Sequence, residues 1–143
     1  MIYIGADHGG FKLKDTIKSW LTGMELDYQD VGDFEYNPDD DYVDYAREVT
    51  VNVREDGDRG ILICRSGVGM DIVANRSKHI RCGLGIGAEQ VGVSRKDDDI
   101  NVLAIASDYT DIDNIREMVK AFLMTEFSNE ERYVSRLNKI KEL

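Results

Sequence analysis

Ile61-Leu62-Ile63 and Leu103-Ala104-Ile105 are short aliphatic runs with no polar residue, and a longer stretch of helical period follows each. A strand apolar on both faces must be covered on both faces, which points to a parallel sheet between helices. The same alternation runs through the whole chain. It predicts strands at Ile2–Gly5, Leu26–Val31, Gly60–Cys64, Ile80–Gly85 and Asn101–Ala106. Helices are predicted over Phe11–Leu21, Tyr42–Arg54, Met70–Arg76, Ala88–Lys96, Asp111–Glu126 and Asn129–Ile140. The expected fold is a Rossmann-like three-layer α/β sandwich with a five-stranded parallel sheet, one domain over residues 1–143. Such folds bind ligands beyond the C-terminal ends of their strands. That rule nominates three loops: Ala6–Gly10, Arg65–Gly69 and Lys96–Asp99.

Charge and composition narrow the partners. The formal charge of −10 argues against nucleic acid, whose backbone attracts basic patches. The acids cluster: twelve lie between Asp27 and Asp58, against Arg47 and Arg54 alone. Arg132, Arg136, Lys139 and Lys141 instead make the C-terminal end basic. An anionic ligand can therefore be held locally on an acidic protein. No apolar run approaches the ~20 residues of a membrane span. The first residues read as a strand rather than a secretory leader, and Cys64 and Cys82 sit in apolar runs as reduced thiols. The expectation is a cytoplasmic protein with neither membrane nor nucleic-acid partners.

Cys64-Arg65-Ser66-Gly67-Val68-Gly69 carries the strongest chemical signal. A cysteine ends a buried strand and a glycine turn opens a helix, so N–H groups can meet an anion and favour a thiolate. Read as structure alone, it is a buried cysteine before a tight turn, and the residues by themselves leave the two readings even. A cysteine-phosphatase loop would need arginine where Met70 stands. A dinucleotide fingerprint would need glycine at Ile72 or, for Gly85-Ile86-Gly87, at Gln90. Asp7-His8 before Gly9-Gly10 puts an acceptor and an imidazole at the predicted ligand edge, although a capping aspartate beside a solvated histidine is the commoner meaning. Arg132 and Arg136 share one helix face and suit a phosphate, although terminal arginines are usually just solvated. His79 reads as surface and Cys82 as core. The two histidines and two cysteines show no metal-ligand spacing, so neither metal nor cofactor is expected.

Together these blocks resemble the family of ribose-5-phosphate isomerase B and galactose-6-phosphate isomerase. The resemblance runs through Gly5 to Lys14, Asp30-Val31-Gly32, Asp41 to Ala46, Gly60 to Gly69, Ala74-Asn75, Ile80-Arg81, Ser94-Arg95, Asn101-Val102-Leu103 and the pair Arg132 and Arg136. It implies a metal-independent aldose–ketose isomerase acting on a phosphorylated sugar, ribose 5-phosphate or a related pentose or hexose phosphate. Cys64 would be the base, Ser66, Gly67, Val68 and Gly69 the turn that meets the enediolate, and Asp7 and His8 the sugar ligands. Arg132 and Arg136, with His8, would hold the phosphate. The resemblance further implies a homodimer or dimer of dimers with sites shared between subunits, and helix 129–140 taking part in both. Three positions depart from it. Asp97 and Asp98 stand where the family presents His-Asn, Asp108 where arginine is usual, and Arg65 where glycine follows the cysteine. Asp97 is accordingly a candidate acid–base, and Arg65, Asp98 and Asp108 are candidate substrate contacts. The alternative is a non-catalytic member that binds a sugar phosphate.

Overall fold

The computed structural model describes residues 1–54 and 57–143. Five strands, β1 (Ile2–Ala6), β2 (Tyr28–Asp30), β3 (Arg59–Cys64), β4 (Cys82–Leu84) and β5 (Val102–Ala106), form one sheet in the order β2-β1-β3-β5-β4, with every pairing parallel. Six helices accompany them: α1 (Phe11–Gly23), α2 (Tyr42–Asn52), α3 (Val68–Ala74), α4 (Ala88–Asp98), α5 (Ile112–Met124) and α6 (Glu131–Lys141). This is the expected Rossmann-like sandwich. The period of two divides each strand between the layers. Ile61 and Ile63 pack with α1, α4 and α5, and Leu62 and Cys64 with α2 and α3. In α5 the 3.6-residue period buries Ile115, Met118, Val119 and Phe122, while Asp111 caps the helix by accepting the Asn114 N–H at 2.9 Å.

The strand order reverses at β1, which pairs with β2 on one side and β3 on the other. The ends of β1 and β3, Ala6 and Cys64, therefore flank a topological switch point, where open α/β sheets take their ligands. Several expected boundaries move. β2 and β4 are only three residues long, although Asp27, Val31, Arg81 and Gly85 beside them still hydrogen-bond to neighbouring chain. α3 starts at Val68, earlier than its apolar period suggests, because Gly67 at φ +73° turns the chain straight into the helix. A Cβ there would stand 2.5 Å from Leu84 Cδ1, so glycine is required for space as well as for conformation. α4 continues through Asp98, and Asp99 ends it in a left-handed conformation. Lys96–Asp99 thus leads into β5 at the N-terminal edge of the sheet. Its nomination as a strand-end ligand loop is corrected.

Candidate active site

Cys64 is the last residue of β3 and only 5% exposed. The turn after it wraps back over the sulfur. The Gly67 N–H donates to Sγ at 3.2 Å, and the Ser66 and Met70 N–H groups bear on it too. Burial nevertheless dominates and pushes the thiol above its ordinary 9.0, and the nearby Asp7 carboxylate adds to the rise. The N–H groups at the helix start do favour the thiolate, but the desolvation of a buried sulfur outweighs them.

Asp7 and His8 follow β1 beside the cysteine. Asp7 Oδ1 accepts the N–H groups of Gly9 at 2.9 Å and Gly10 at 3.2 Å, so it does fasten the turn into α1. Burial raises its carboxyl above the usual value, and those donors offset part of the rise. His8 meets Asp40 from the loop before α2, Nδ1 to Oδ1 at 2.6 Å. The third wall is the turn after β5. There the Ser107 hydroxyl donates to the Gly9 carbonyl at 2.9 Å, and the Asp108 N–H donates to the Arg65 carbonyl at 3.1 Å. Arg65 extends over Gly9 and forms a long ion pair with Asp108, 3.8 Å, both side chains well exposed. His8, Lys12, Tyr36, Arg65 and Asp108 face a cavity of about 530 Å³. Gly69 lies under the Tyr42 ring, where a Cβ would approach within 2.8 Å.

Asp97, Asp98, Arg132 and Arg136 are not in this constellation. Asp97 bonds Tyr133 of α6, whose phenol is raised by desolvation and by that carboxylate. The guanidinium carbons of Arg132 and Arg136 lie 5.2 and 5.6 Å from the centre of the same ring. Nearby, Asp99 pairs with Arg81 and Arg95, each at 2.7 Å. One chain therefore carries two groups of candidate residues, at opposite edges of its sheet. His79 is exposed, as read from the sequence, with Nε2 3.0 Å from the Thr50 carbonyl oxygen. Lys12, Tyr36, Asp40 and Ser107 were not singled out by sequence. Asp40 sits in the run Asp39-Asp40-Asp41, where spacing distinguishes none of the three. Ligand atoms of Asp7, His8 and Asp40 lie within 4.8 Å of one another, a cation-sized grouping that spacing did not reveal.

A buried thiol and an aspartate–histidine turn at the switch point of a parallel sheet define an α/β protein with a small-metabolite site. The chain belongs to the Ribose/Galactose Isomerase family, which it matches over residues 2–140. Its class is that of the sugar-phosphate aldose–ketose isomerases. The ribose-5-phosphate isomerase B of Mycobacterium tuberculosis is 29% identical over 142 residues, covering 99% of this chain and 88% of that protein. A ribose 5-phosphate isomerase structure from Thermotoga maritima superposes with a TM-score of 0.93 at 32% identity, covering 99% of this chain and 97% of that one. The Mycoplasma genitalium ribose-5-phosphate isomerase B, solved with bound ribulose 5-phosphate, superposes with a TM-score of 0.89 at 31% identity, covering 99% of this chain and 93% of that chain. No helix among the described residues is long and apolar enough to cross a membrane.

Proposed function

We propose that this chain interconverts an aldose phosphate and its ketose, most simply ribose 5-phosphate and ribulose 5-phosphate, with Cys64 as the base and without metal. The observation that carries the proposal is Cys64 Sγ at the switch point, inside a turn whose N–H groups converge on it. As thiolate, Sγ takes the C2 proton of the open-chain aldose and returns it to C1 through an enediolate. The Ser66–Gly69 turn presents donors where the enediolate oxygen gains charge. Asp7 and His8 face the sugar, and Arg65 and Asp108 frame its entrance.

Arg132 and Arg136 would hold the phosphate, and Asp97 and Asp98 would join the site, from a second copy of the chain. This follows because one chain keeps them at the far edge. The working unit is then a cytoplasmic homodimer, or a dimer of dimers, of one isomerase domain. The specific test compares Cys64→Ala with Cys82→Ala on ribose 5-phosphate. The first variant is expected to lose about 10²-fold or more in kcat, the second to act only through packing. Retention of most of the kcat by Cys64→Ala overturns the assignment. A second reading, binding without turnover, is favoured by the upward-shifted thiol. Turnover of any aldose phosphate in a small panel decides between the two.

A further inference from the structure

The end of the sheet away from Cys64 holds a second recess. Arg59 opens β3 and Cys64 ends it, so the two stand about 16 Å apart along the strand. Beside Arg59, the residues Arg81, Asp99 and Asn101 come from the turns that lead into β4 and β5, and α6 closes over them. The recess measures about 390 Å³. Past Arg81 and Lys141 it runs on into a neighbour of about 410 Å³ that adds Arg54 and Lys78. Among the described residues this wall carries five cations, Arg54, Arg59, Lys78, Arg81 and Lys141, against two acids, on a chain of charge −10. Both acids already face cations: Asp99 pairs with Arg81 and Arg95, each at 2.7 Å, and Asp58 with the Met1 ammonium at 3.1 Å. Neither Arg59 nor Lys141 has an ion pair among the described residues. Arg59 donates from Nη1 to the Asp58 carbonyl at 2.8 Å. Burial, and then the like charges of Arg95 and Arg81, hold its pKa below the ordinary value.

Two cations without carboxylate partners, with the Asn138 amide beside Lys141, suit a phosphate group, which accepts several charge-assisted hydrogen bonds. The volume is that of a small-molecule site. α6 joins this recess to the catalytic chemistry. Val134, Leu137, Asn138 and Lys141 recur at steps of three and four and share the face that lines it. At about 100° per residue, Arg132 and Arg136 fall on the opposite face of the same helix. We propose that the recess is a second anion site, taking a small molecule that carries a phosphate or pyrophosphate group. We propose further that its occupant seats α6 so that the arginine pair meets the substrate phosphate. The seating rests on the isomerase reading above; the site does not. Lys141 faces Arg59 and Arg81 across the recess, and an anion between them turns that repulsion into an attraction that draws α6 onto the sheet edge. By linkage, whatever steadies α6 for the substrate also tightens the recess around its anion.

The test uses pyrophosphate as the probe and calorimetry on the full chain. Arg132→Ala with Arg136→Ala removes the substrate-phosphate pair, and this background is expected to bind one equivalent of pyrophosphate per chain. Adding Lys141→Gln, at an exposed side chain whose loss leaves the fold intact, is expected to raise Kd about tenfold, and adding Arg59→Gln to do the same. Adding Arg65→Gln, at the mouth of the catalytic cavity, is expected to leave Kd unchanged. In otherwise wild-type protein, pyrophosphate is expected to lower KM for ribose 5-phosphate about fivefold before it competes at higher concentration. Lys141→Gln should leave only the competition, with the same kcat in the absence of pyrophosphate. No binding to the background, binding that Lys141→Gln and Arg59→Gln leave intact, or binding lost with Arg65→Gln overturns the site. Binding with no fall in KM overturns the coupling alone. Absence of turnover on any aldose phosphate overturns the isomerase reading and the coupling with it, while calorimetry decides the site.

Discussion

At Cys64 two effects of opposite sign meet, and their balance sets how the site runs. Burial favours the thiol and the turn's N–H groups favour the thiolate, with burial the larger. The thiol should therefore alkylate with iodoacetamide along a pH curve whose midpoint lies above 9.0. A midpoint in the neutral range would show that the turn outweighs desolvation. Arg65 poses a different question. Its ion pair with Asp108 is long and exposed, and such pairs contribute only about 0–1 kcal/mol. Asp108→Asn should shift stability by less than about 0.5 kcal/mol while freeing Arg65 for the substrate anion and lowering KM. An unchanged KM would remove Arg65 from the entrance. A pairing of Arg65 with one of Asp97, Asp98 or Asp108 follows from charge, but only Asp108 shares its edge. Which acid lies near which base is a matter of strand ends, and charge counting has no access to it.

Among the elements, α1 is fastened to β2 by a group its apolar period does not reveal. Lys14 lies on the buried face, 1% exposed, with Nζ donating to Asp30 at 2.8 Å and to the Asp33 carbonyl. Lys18 reaches the other Asp30 oxygen at 2.8 Å. Burial alone would raise the Asp30 carboxyl, but Lys14, Lys18 and the Gly32 N–H hold it below 3.8. A depressed carboxyl stabilises the fold above the unfolded value and ceases to as pH falls through the folded one. Asp30→Asn should therefore cost about 2–4 kcal/mol at pH 7, since it strands a buried ammonium, and the gap from wild type should close below pH 3.8. Denaturant melts of both proteins across pH 2–7 check this, and a constant gap would refute it. The strands, the six helices and the Cys64 turn were legible because apolar period and glycine placement report them directly. Lys14 and Asp40 were not, because a buried charge looks exposed until its partner from another segment is in place. Lys96–Asp99 was misplaced because the helical pattern weakens one residue pair before α4 ends.

For the whole molecule, one chain keeps its two groups of candidate residues at opposite sheet edges, and the proposed site joins one group from each of two copies. If each site takes Cys64 from one copy and Arg136 from another, two inactive variants can repair each other. Cys64→Ala mixed with Arg136→Ala, after unfolding and reassembly together, should regain about a quarter of wild-type activity, because half the dimers are mixed and each has one intact site. No recovery would place each site within one chain. The strand order carries a consequence of its own. β5 lies between β3 and β4, and among the described residues β4 pairs with no other strand. During synthesis, then, β4 emerges with nothing to join, and β3 waits with an open aliphatic edge until Val102–Ala106 has left the ribosome. A nascent chain stalled before residue 102 would be a sticky half-sheet, and the last third of the message decides whether the first two-thirds stay in solution.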